Sequence, residues 1–384
     1  MAQSDLSKAK NGKNDEFYTQ FIDIEKEMNA YLEFDPNIFK GKTVLLPCDD
    51  PEWSNFTKFF AQNFQRFGLK KLISTSYAVE SKNYKTTYQP TLFEVNDPKF
   101  DESKTRVKGK IFTLTKDNTG DGKVDVDDLE WTYLKGDGDF RSEEIIRLRN
   151  ESDIIVTNPP FSLFREFFSW IVCADKKFVI LGNMNAITYK EVFPMIKENL
   201  LWLGATNFNN GMYFKVPENF VYSPTYKFER EINGEKVNRV PSICWFTNME
   251  HGRRHQPLPL MTMADNIKFS KHKEIKGKEY RIYDNYDAIE VPFTSAIPSD
   301  YNGVMGVPIS FLDKYNPDQF EIVGNGQTMA NELGIKPVGK KFVDDYYSQG
   351  NKGQINAKWN NLVYHVGETV YVPYQRILIK HKRK

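Results

Sequence analysis

Asn158, Pro159, Pro160 and Phe161 follow the apolar run "SDIIVT" (152–157) without a spacer. Proline has a fixed φ and no backbone N–H, so a strand must stop there. The asparagine offers a side-chain carbonyl as acceptor. The Pro159 carbonyl is a second acceptor held in a fixed direction, and Phe161 adds a flat face for stacking. Two acceptors beside an aromatic plate suit an amino group on a planar ring, such as adenine N6. Gripping its hydrogens would pyramidalise the nitrogen and free its lone pair for attack on a methyl donor. The acceptors would then stabilise charge that develops in the transition state. A base in a duplex reaches such a pocket only when flipped out. For these four residues alone, a strand end capped by prolines beside a core phenylalanine is the purely structural alternative.

Two more unusual segments fall after apolar runs. "PCDDPEWSNF" (47–56) follows "KTVLL", and its Asp49 or Asp50 could bind a ribose hydroxyl or the ammonium of S-adenosylmethionine; an N-capped turn is the structural alternative. "GDGDFRS" (136–142) could direct Asp139 at an adenine amino group of a cofactor with Phe140 beside the ring. A glycine-rich turn capped by Asp139 or Ser142 is its plain reading. "DNTGDGKVDVDD" (117–128) resembles a calcium loop, but Thr119 and Asp128 occupy ligand positions three and twelve, and the flank "KIFTLT" alternates as a strand does. A hairpin turn is expected there. The five histidines and three cysteines (Cys48, Cys173, Cys244) show no metal spacing, so no metal is expected.

The elements that must position these residues read as alternating strands and helices. "NDEFYTQFIDIEKEMNAYLEF" (14–34) leads into an amphipathic helix, and "KTVLLPCDD" is a strand ended by Pro47. Trp53, Phe56, Phe59, Phe60, Phe64 and Phe67 have helical spacing before the stop at Gly68. "LKKLISTSYA" is a second strand, which completes a β-α-β unit. "KIFTLT" and "LEWTYLKG" form the hairpin. "EEIIRLRNES" is a helix, "DIIVT" a parallel-type strand, "FSLFREFFSWIVCA" a helix and "KKFVILGN" a strand; "TYKEVFPMIKEN" is a further helix, with "LWLGA" and "SICWFTN" as later strands. Over residues 40–250 this predicts an α/β fold with a doubly wound sheet, whose ligands bind at the carboxyl ends of the strands. After "HGRRHQPLPL" the helical periodicity fades. Residues 14–250 and 251–384 are therefore expected as two domains after a disordered stretch, 1–13.

Composition narrows the class. Hydrophobic residues make up 40% and the mean hydropathy is −0.57, with no apolar run near the length of a membrane span. The first residues have no apolar signal segment, so a reducing cytoplasm is expected. Residues 251–384 carry 19 lysines and arginines against 14 acids, a net +5, while residues 1–250 carry 33 against 37, a net −4. A basic back half suits a polyanion.

Taken together, these residues resemble the EcoRI-type adenine-specific DNA methyltransferases. The matching pieces run in order: "NDEFYTQ", "CDDPEWSNF", "GLKKLISTSY", "GDGDFRS", "DIIVTNPPFSLFREF", "KKFVILGNMNAITYKEVF", "IKENLLWLG", "YDNYDAIEV", "DYNGVMGVPISFL", "NPDQFEIVG" and "RILIKHKRK". They cover most of residues 14–324 and the last nine. The resemblance implies a Rossmann-like class I methyltransferase domain followed by a DNA target-recognition region, with the motifs in gamma order. It implies a cofactor, S-adenosylmethionine, bound by Phe17, Tyr18 and Thr19 and by Pro47, Cys48, Asp49 and Asp50, with Asp139 and Phe140 at its adenine. It makes Asn158, Pro159, Pro160 and Phe161 the catalytic motif and Phe161 and Phe214 the plates that stack on the flipped base. Arg253, Arg254, Lys382, Arg383 and Lys384 would contact the backbone of duplex DNA. A bacterial or phage-encoded setting, with a cognate restriction endonuclease, goes with the family. Two departures stand out. The donor loop lacks the usual Gly-x-Gly, a feature shared by the EcoRI type, and the strand "LISTSYA" ends without the acid that usually holds the donor ribose. Cytosine N4, an adenine in RNA, a protein glutamine amide, or a non-catalytic DNA-binding role on the same scaffold are the rival readings.

Overall fold

The computed structural model describes residues 18–48, 54–78, 97–206, 208, 211–216, 222, 226–227, 230–232 and 234–382. The chain divides into two compact units: residues up to Met184 with 203–252, and residues 185–202 with 253–384. Residues 185–202, which the sequence places in the first domain, thus group with the C-terminal part.

The first unit is built on an eight-stranded mixed sheet in the order β5-β4-β3-β2-β6-β7-β12-β8. Its strands are β2 (Thr43–Leu46), β3 (Lys71–Thr75), β4 (Lys110–Leu114), β5 (Glu130–Tyr133), β6 (Ile154–Thr157), β7 (Lys177–Asn183), β8 (Trp202–Leu203) and β12 (Ile243–Thr247). The central four, β3-β2-β6-β7, are parallel. Every residue of β2 and of β6 is buried, as expected of strands covered on both faces. β4 and β5 form the predicted antiparallel hairpin, and β12 runs antiparallel to β7. The hairpin turn uses its acids internally. Asp128 accepts from the backbone of Asn118, Thr119 and Asp125, and Asp117 from that of Gly120 and Gly122.

Helices cover the sheet where the aromatic spacing predicts them. α1 (Phe21–Phe34) precedes β2, and α2 (Asn55–Gln62) connects β2 to β3. Ser54 caps α2 by accepting from the Phe56 N–H, and Phe56, Phe59 and Phe60 are buried on one face. α3 (Glu143–Glu151), capped by Ser142, leads into β6, and α4 (Phe164–Val172) joins β6 to β7. Because β2 connects outward to β3 and β6 connects the other way to β7, the loops after β2 and β6 emerge side by side. That reversal is where open α/β sheets bind ligands.

A second, four-stranded sheet of this unit has the order β1-β9-β11-β10: β1 (Tyr18–Thr19), β9 (Met212–Lys215), β10 (Glu231–Ile232) and β11 (Glu235–Val240). Thr19 pairs with Phe214, and Phe214 with Asn238.

The second unit contains a five-stranded sheet ordered β13-β14-β15-β19-β16. Its strands are β13 (Arg281–Ile282), β14 (Ile289–Glu290), β15 (Met305–Pro308), β16 (Phe320–Asn325) and β19 (Arg376–His381). A hairpin, β17 (Tyr364–Val366) with β18 (Thr369–Tyr371), the helices α5 (Met263–Phe269) and α6 (Gly339–Ser348), and the short helix Phe193–Lys197 belong to it. Its half-buried Arg376 is held by the buried Glu290 at 2.6–3.1 Å. Among the described residues no helix is long and apolar enough to cross a membrane, and no group of three His, Cys, Asp or Glu side chains could hold a metal ion.

Candidate active site

The loops after β2 and β6 are joined directly. Thr157, fully buried at the end of β6, donates its hydroxyl to the Pro47 carbonyl at 2.5 Å. Cys48 then takes φ +70°, a left-handed conformation that glycine adopts freely and other residues seldom do. The chain thus makes without a glycine the kind of turn that the absent Gly-x-Gly would supply. Asp49 and Asp50, like Phe17, Arg383 and Lys384, lie outside the described residues.

Beyond Thr157 the backbone leaves the sheet through Asn158, Pro159 and Pro160. Asn158 and Phe161 are half-buried and Pro159 is buried. Phe161–Leu163 forms one 3-10 turn, closed by Leu163 N–H donating to the Pro160 carbonyl at 2.9 Å, and α4 follows at once. The prolines therefore end β6 and set the Phe161 ring at the mouth of the sheet. That ring meets Phe214 edge-on, with centroids 6.5 Å apart and planes at 84°. Phe214 itself is fully buried. Expected as a second stacking plate, it sits instead as a packed support behind Phe161, because alternation along β9 turns it into the core and leaves Tyr213 on the other face, half-buried.

β1 binds these parts together. Thr19 pairs with Phe214, and Asn55, at the start of α2, donates to the Thr19 carbonyl at 2.8 Å. Thr19 is 3% exposed, and its hydroxyl has no hydrogen-bond partner among the described residues. The Thr75 hydroxyl, at the carboxyl end of β3, is in the same position. Buried donors of this kind fit a polar ligand at the strand ends.

The third loop is fixed by backbone contact. Ser76 N–H donates to the Lys110 carbonyl at 2.9 Å and Ala78 N–H to that of Asp137 at 2.7 Å. Gly138, at φ +90°, presses against the Ser76 carbonyl so closely that any side chain there would collide with it. This brings Tyr77 against Asp139, whose carboxylate accepts from the Tyr77 hydroxyl. Arg141 grips the same carboxylate with its backbone N–H (2.8 Å), Nε (2.9 Å) and Nη2 (2.6 Å), and its Nη1 reaches Glu166 of α4 at 3.1 Å. The Arg141 hydrogen bonds hold the Asp139 carboxyl below its usual range. Burial, then the nearby Cys48 and Asp139, push the Tyr77 hydroxyl far above its usual value, so it stays a donor. Cys48, Tyr77 and Asp139 thus converge from three loops. Sequence reasoning missed Tyr77; the signal was the polar aromatic residue just past β3, where an acid was sought.

Phe140 differs from expectation. It is fully buried, with Phe167 and Trp170 edge-on at 5.1 and 5.7 Å and the Arg141 guanidinium over its ring at 5.4 Å. Its ring fastens the loop to α4 and offers no face to a ligand; only its backbone is left for one. One of the expected DNA contacts also differs. Arg254 is 4% exposed, stacked 3.7 Å over Trp202 and donating to Asn199 at 2.6 Å, so its charge is spent inside the second unit. Arg253 is paired with Asp313 at 2.5 Å. Lys382 is exposed.

The eight-stranded mixed sheet thus brings the Asn-Pro-Pro-Phe loop beside the loop after β2, at the reversal where open α/β sheets bind ligands. Sequence relationships define the class of protein. The model of the family described as adenine-specific methyltransferase EcoRI matches residues 5–382, and the chain belongs to that family of adenine-specific DNA methyltransferases. The type II methyltransferase M.EcoRI of Escherichia coli is 44% identical over 381 residues, covering 98% of this chain and 96% of the relative. M.MpnI of Mycoplasma pneumoniae is 37% identical over 319 residues (83% and 84%), and M.MgeORF184P of Mycoplasma genitalium 35% over 354 residues (92% and 95%), both also type II methyltransferases. No solved structure matches the chain.

Proposed function

We propose that the protein transfers the methyl group of S-adenosylmethionine to N6 of an adenine flipped out of duplex DNA at a defined sequence. The observation that carries this is the Thr157–Pro47 hydrogen bond, which ties the Asn-Pro-Pro-Phe loop to the loop after β2 at the sheet reversal. On this reading the first unit is a Rossmann-like class I methyltransferase domain and the second carries target recognition.

Bound S-adenosylmethionine would supply an electrophilic methyl on a sulfonium centre. Pro47, Cys48, Asp49, Asp50, Tyr18, Thr19 and Phe17 are its proposed surroundings, with Asp139 accepting from its adenine amino group. The Tyr77 hydroxyl takes the ribose side, in place of the missing acid. Asn158 Oδ1 and the Pro159 carbonyl accept from the two amino hydrogens of the target adenine and hold its nitrogen pyramidal. Pro160 stiffens the turn, and Phe161 stacks on the base with Phe214 behind it. The amino nitrogen would form its new N–C bond as the sulfonium C–S bond breaks, leaving S-adenosylhomocysteine, and the then cationic nitrogen would release its proton to water, so no strong base is required before transfer. Lys382, Arg383 and Lys384 remain candidates for phosphate contact. Among the described residues the three cysteines form no disulfide, which fits a reducing bacterial or phage-infected cytoplasm, and a cognate endonuclease would complete a restriction–modification pair.

The test is incubation with labelled donor and mixed duplexes, followed by digestion to nucleosides. N6-methyladenine is the expected product. Exclusive N4-methylcytosine, or no product across diverse sequences, overturns the reading.

A further inference from the structure

The second unit holds Arg253 and Arg254 in internal contacts, so a surface of this unit that faces a polyanion needs other basic side chains. One segment stands out. Residues 268–278 contain Lys268, Lys271, Lys273, Lys276 and Lys278 against a single acid, Glu274, and all five lysines are exposed. Lys268 lies over the ring of Phe269 at 4.9 Å, and Phe269 is itself 60% exposed. The ammonium groups of the other four make no hydrogen bond or ion pair with a described residue.

The segment is built, not loose. Gly277 N–H donates back to the Ile267 carbonyl of α5 at 2.8 Å, and Ile275 and Lys276 N–H groups donate to the His272 carbonyl at 3.1 and 2.9 Å. Ser270 receives the His272 N–H at 3.1 Å. The His272 ring stacks on Phe293, 3.7 Å apart and 8° from parallel, and Nε2 meets Ser295 Oγ at 3.0 Å. Ile275 is buried beneath. Four unpaired ammonium groups held on a fixed turn keep their mutual repulsion unless an anion lies across them. A preformed turn also loses less freedom on binding than a tail would. An exposed ring among them suits a sugar–phosphate surface better than bulk water.

We propose that the Lys268–Lys278 turn is a backbone-contact surface for duplex DNA. This rests on the reading that duplex DNA is the substrate. Lysines act there as point charges on phosphates, so they add affinity without reading sequence.

The test is duplex binding by the full chain across a salt series, comparing wild type with the variant Lys271→Ala, Lys273→Ala, Lys276→Ala and Lys278→Ala. Each lost phosphate contact lowers the slope of log affinity against log salt by about 0.9, so the slope should fall by roughly 2–4. Affinity should drop at least about tenfold, by the same factor on target and unrelated duplexes. Melting temperature and S-adenosylhomocysteine binding should not change. An unchanged slope overturns the inference. As a measurement on the unaltered protein, excess duplex should protect these lysines from acetylation, and equal labelling with and without DNA overturns it too. A wild type that leaves no N6-methyladenine refutes the function reading. A wild type that methylates, beside a variant with the wild-type slope, refutes this surface alone.

Discussion

Thr157 Oγ1 and the Pro47 carbonyl, 110 residues apart in sequence, are hydrogen-bonded at 2.5 Å and fully enclosed on the Thr157 side. The bond fixes the distance between the loop that ends β6 and the loop that ends β2. Thr157→Val keeps the shape and removes the donor. The Pro47 carbonyl then loses this partner, at a cost of about 1–3 kcal/mol. Urea unfolding should show that loss, and the affinity for S-adenosylhomocysteine should fall several-fold. Thr157→Ser should recover both. A Val variant with wild-type stability and affinity would show that the bond couples nothing.

Asn158→Ala removes one of the two proposed acceptors and leaves the fold intact, since the side chain is half-buried. Losing one preorganised group that acts on developing charge costs about 10²–10³ in turnover. Donor affinity by calorimetry should stay within about twofold of wild type. Equal turnover in mutant and wild type refutes the role given to Asn158.

Phe161 and Phe214 touch edge to face but do different work. Phe161→Ala should weaken productive duplex binding by about 1–3 kcal/mol, the scale of one base–aromatic stack, and Phe161→Tyr should restore it. Phe214→Ala should instead lower stability by about 3–5 kcal/mol, because it empties a fully buried site. Paired thermal unfolding and duplex titration separate the two. Phe214→Ala with wild-type stability and lost duplex binding would return that residue to the base pocket.

The eight strands of the main sheet, its hairpin and the Asn-Pro-Pro-Phe turn were legible because apolar runs, proline stops and helical phenylalanine spacing are local signals, whereas the short strands of the other sheets carry no such run. The family was legible in motif order. Burial was not. Phe140, Phe214 and Arg254 each have a residue type that suits a ligand, but contacts distant in sequence, with Phe167 and Trp170, with Thr19 and Asn238, and with Trp202 and Asn199, turn them inward. Tyr77 was hidden for the same reason: only the close backbone contact at Gly138 sets it beside Asp139.

Glu27 of α1 is buried and accepts from Tyr31 Oη (2.7 Å), Ala205 N (2.8 Å), Thr206 N (2.9 Å) and Thr206 Oγ1 (2.6 Å). Gly204 leaves the space for it; a Cβ there would strike the carboxylate and Trp245. Gly204→Ala should therefore cost about 1–3 kcal/mol by overpacking. Burial raises the Glu27 carboxyl despite its four donors. A raised folded value means the protonated form is favoured on folding. Its contribution is complete below about pH 4.3 and fades as pH rises through the folded value. Glu27→Gln should flatten that part of the stability–pH curve, and a curve identical to wild type would contradict it.

Asp139 titrates in the opposite sense. Its carboxyl is held low, first by the Arg141 side chain, so it stays ionised and able to accept down to acidic pH. A lowered folded value gives stability that is present above the unfolded value of about 3.9 and is lost as pH falls through the folded one. If Asp139 accepts from the donor adenine, affinity for S-adenosylhomocysteine should be flat from about pH 8 down to about pH 4.5, as far as this group decides it. Arg141→Ala removes the main cause of the depression, because only the backbone N–H of residue 141 and Tyr77 then hold the carboxylate. The acid limb of the affinity profile should move to higher pH, with little change on the plateau, and Arg141→Lys should move it less. Calorimetric titration at half-unit pH steps reads the shift. A profile that Arg141→Ala lowers uniformly, without moving its acid limb, would mean that Arg141 fastens the loop to Glu166 of α4 and does not act through the charge of Asp139.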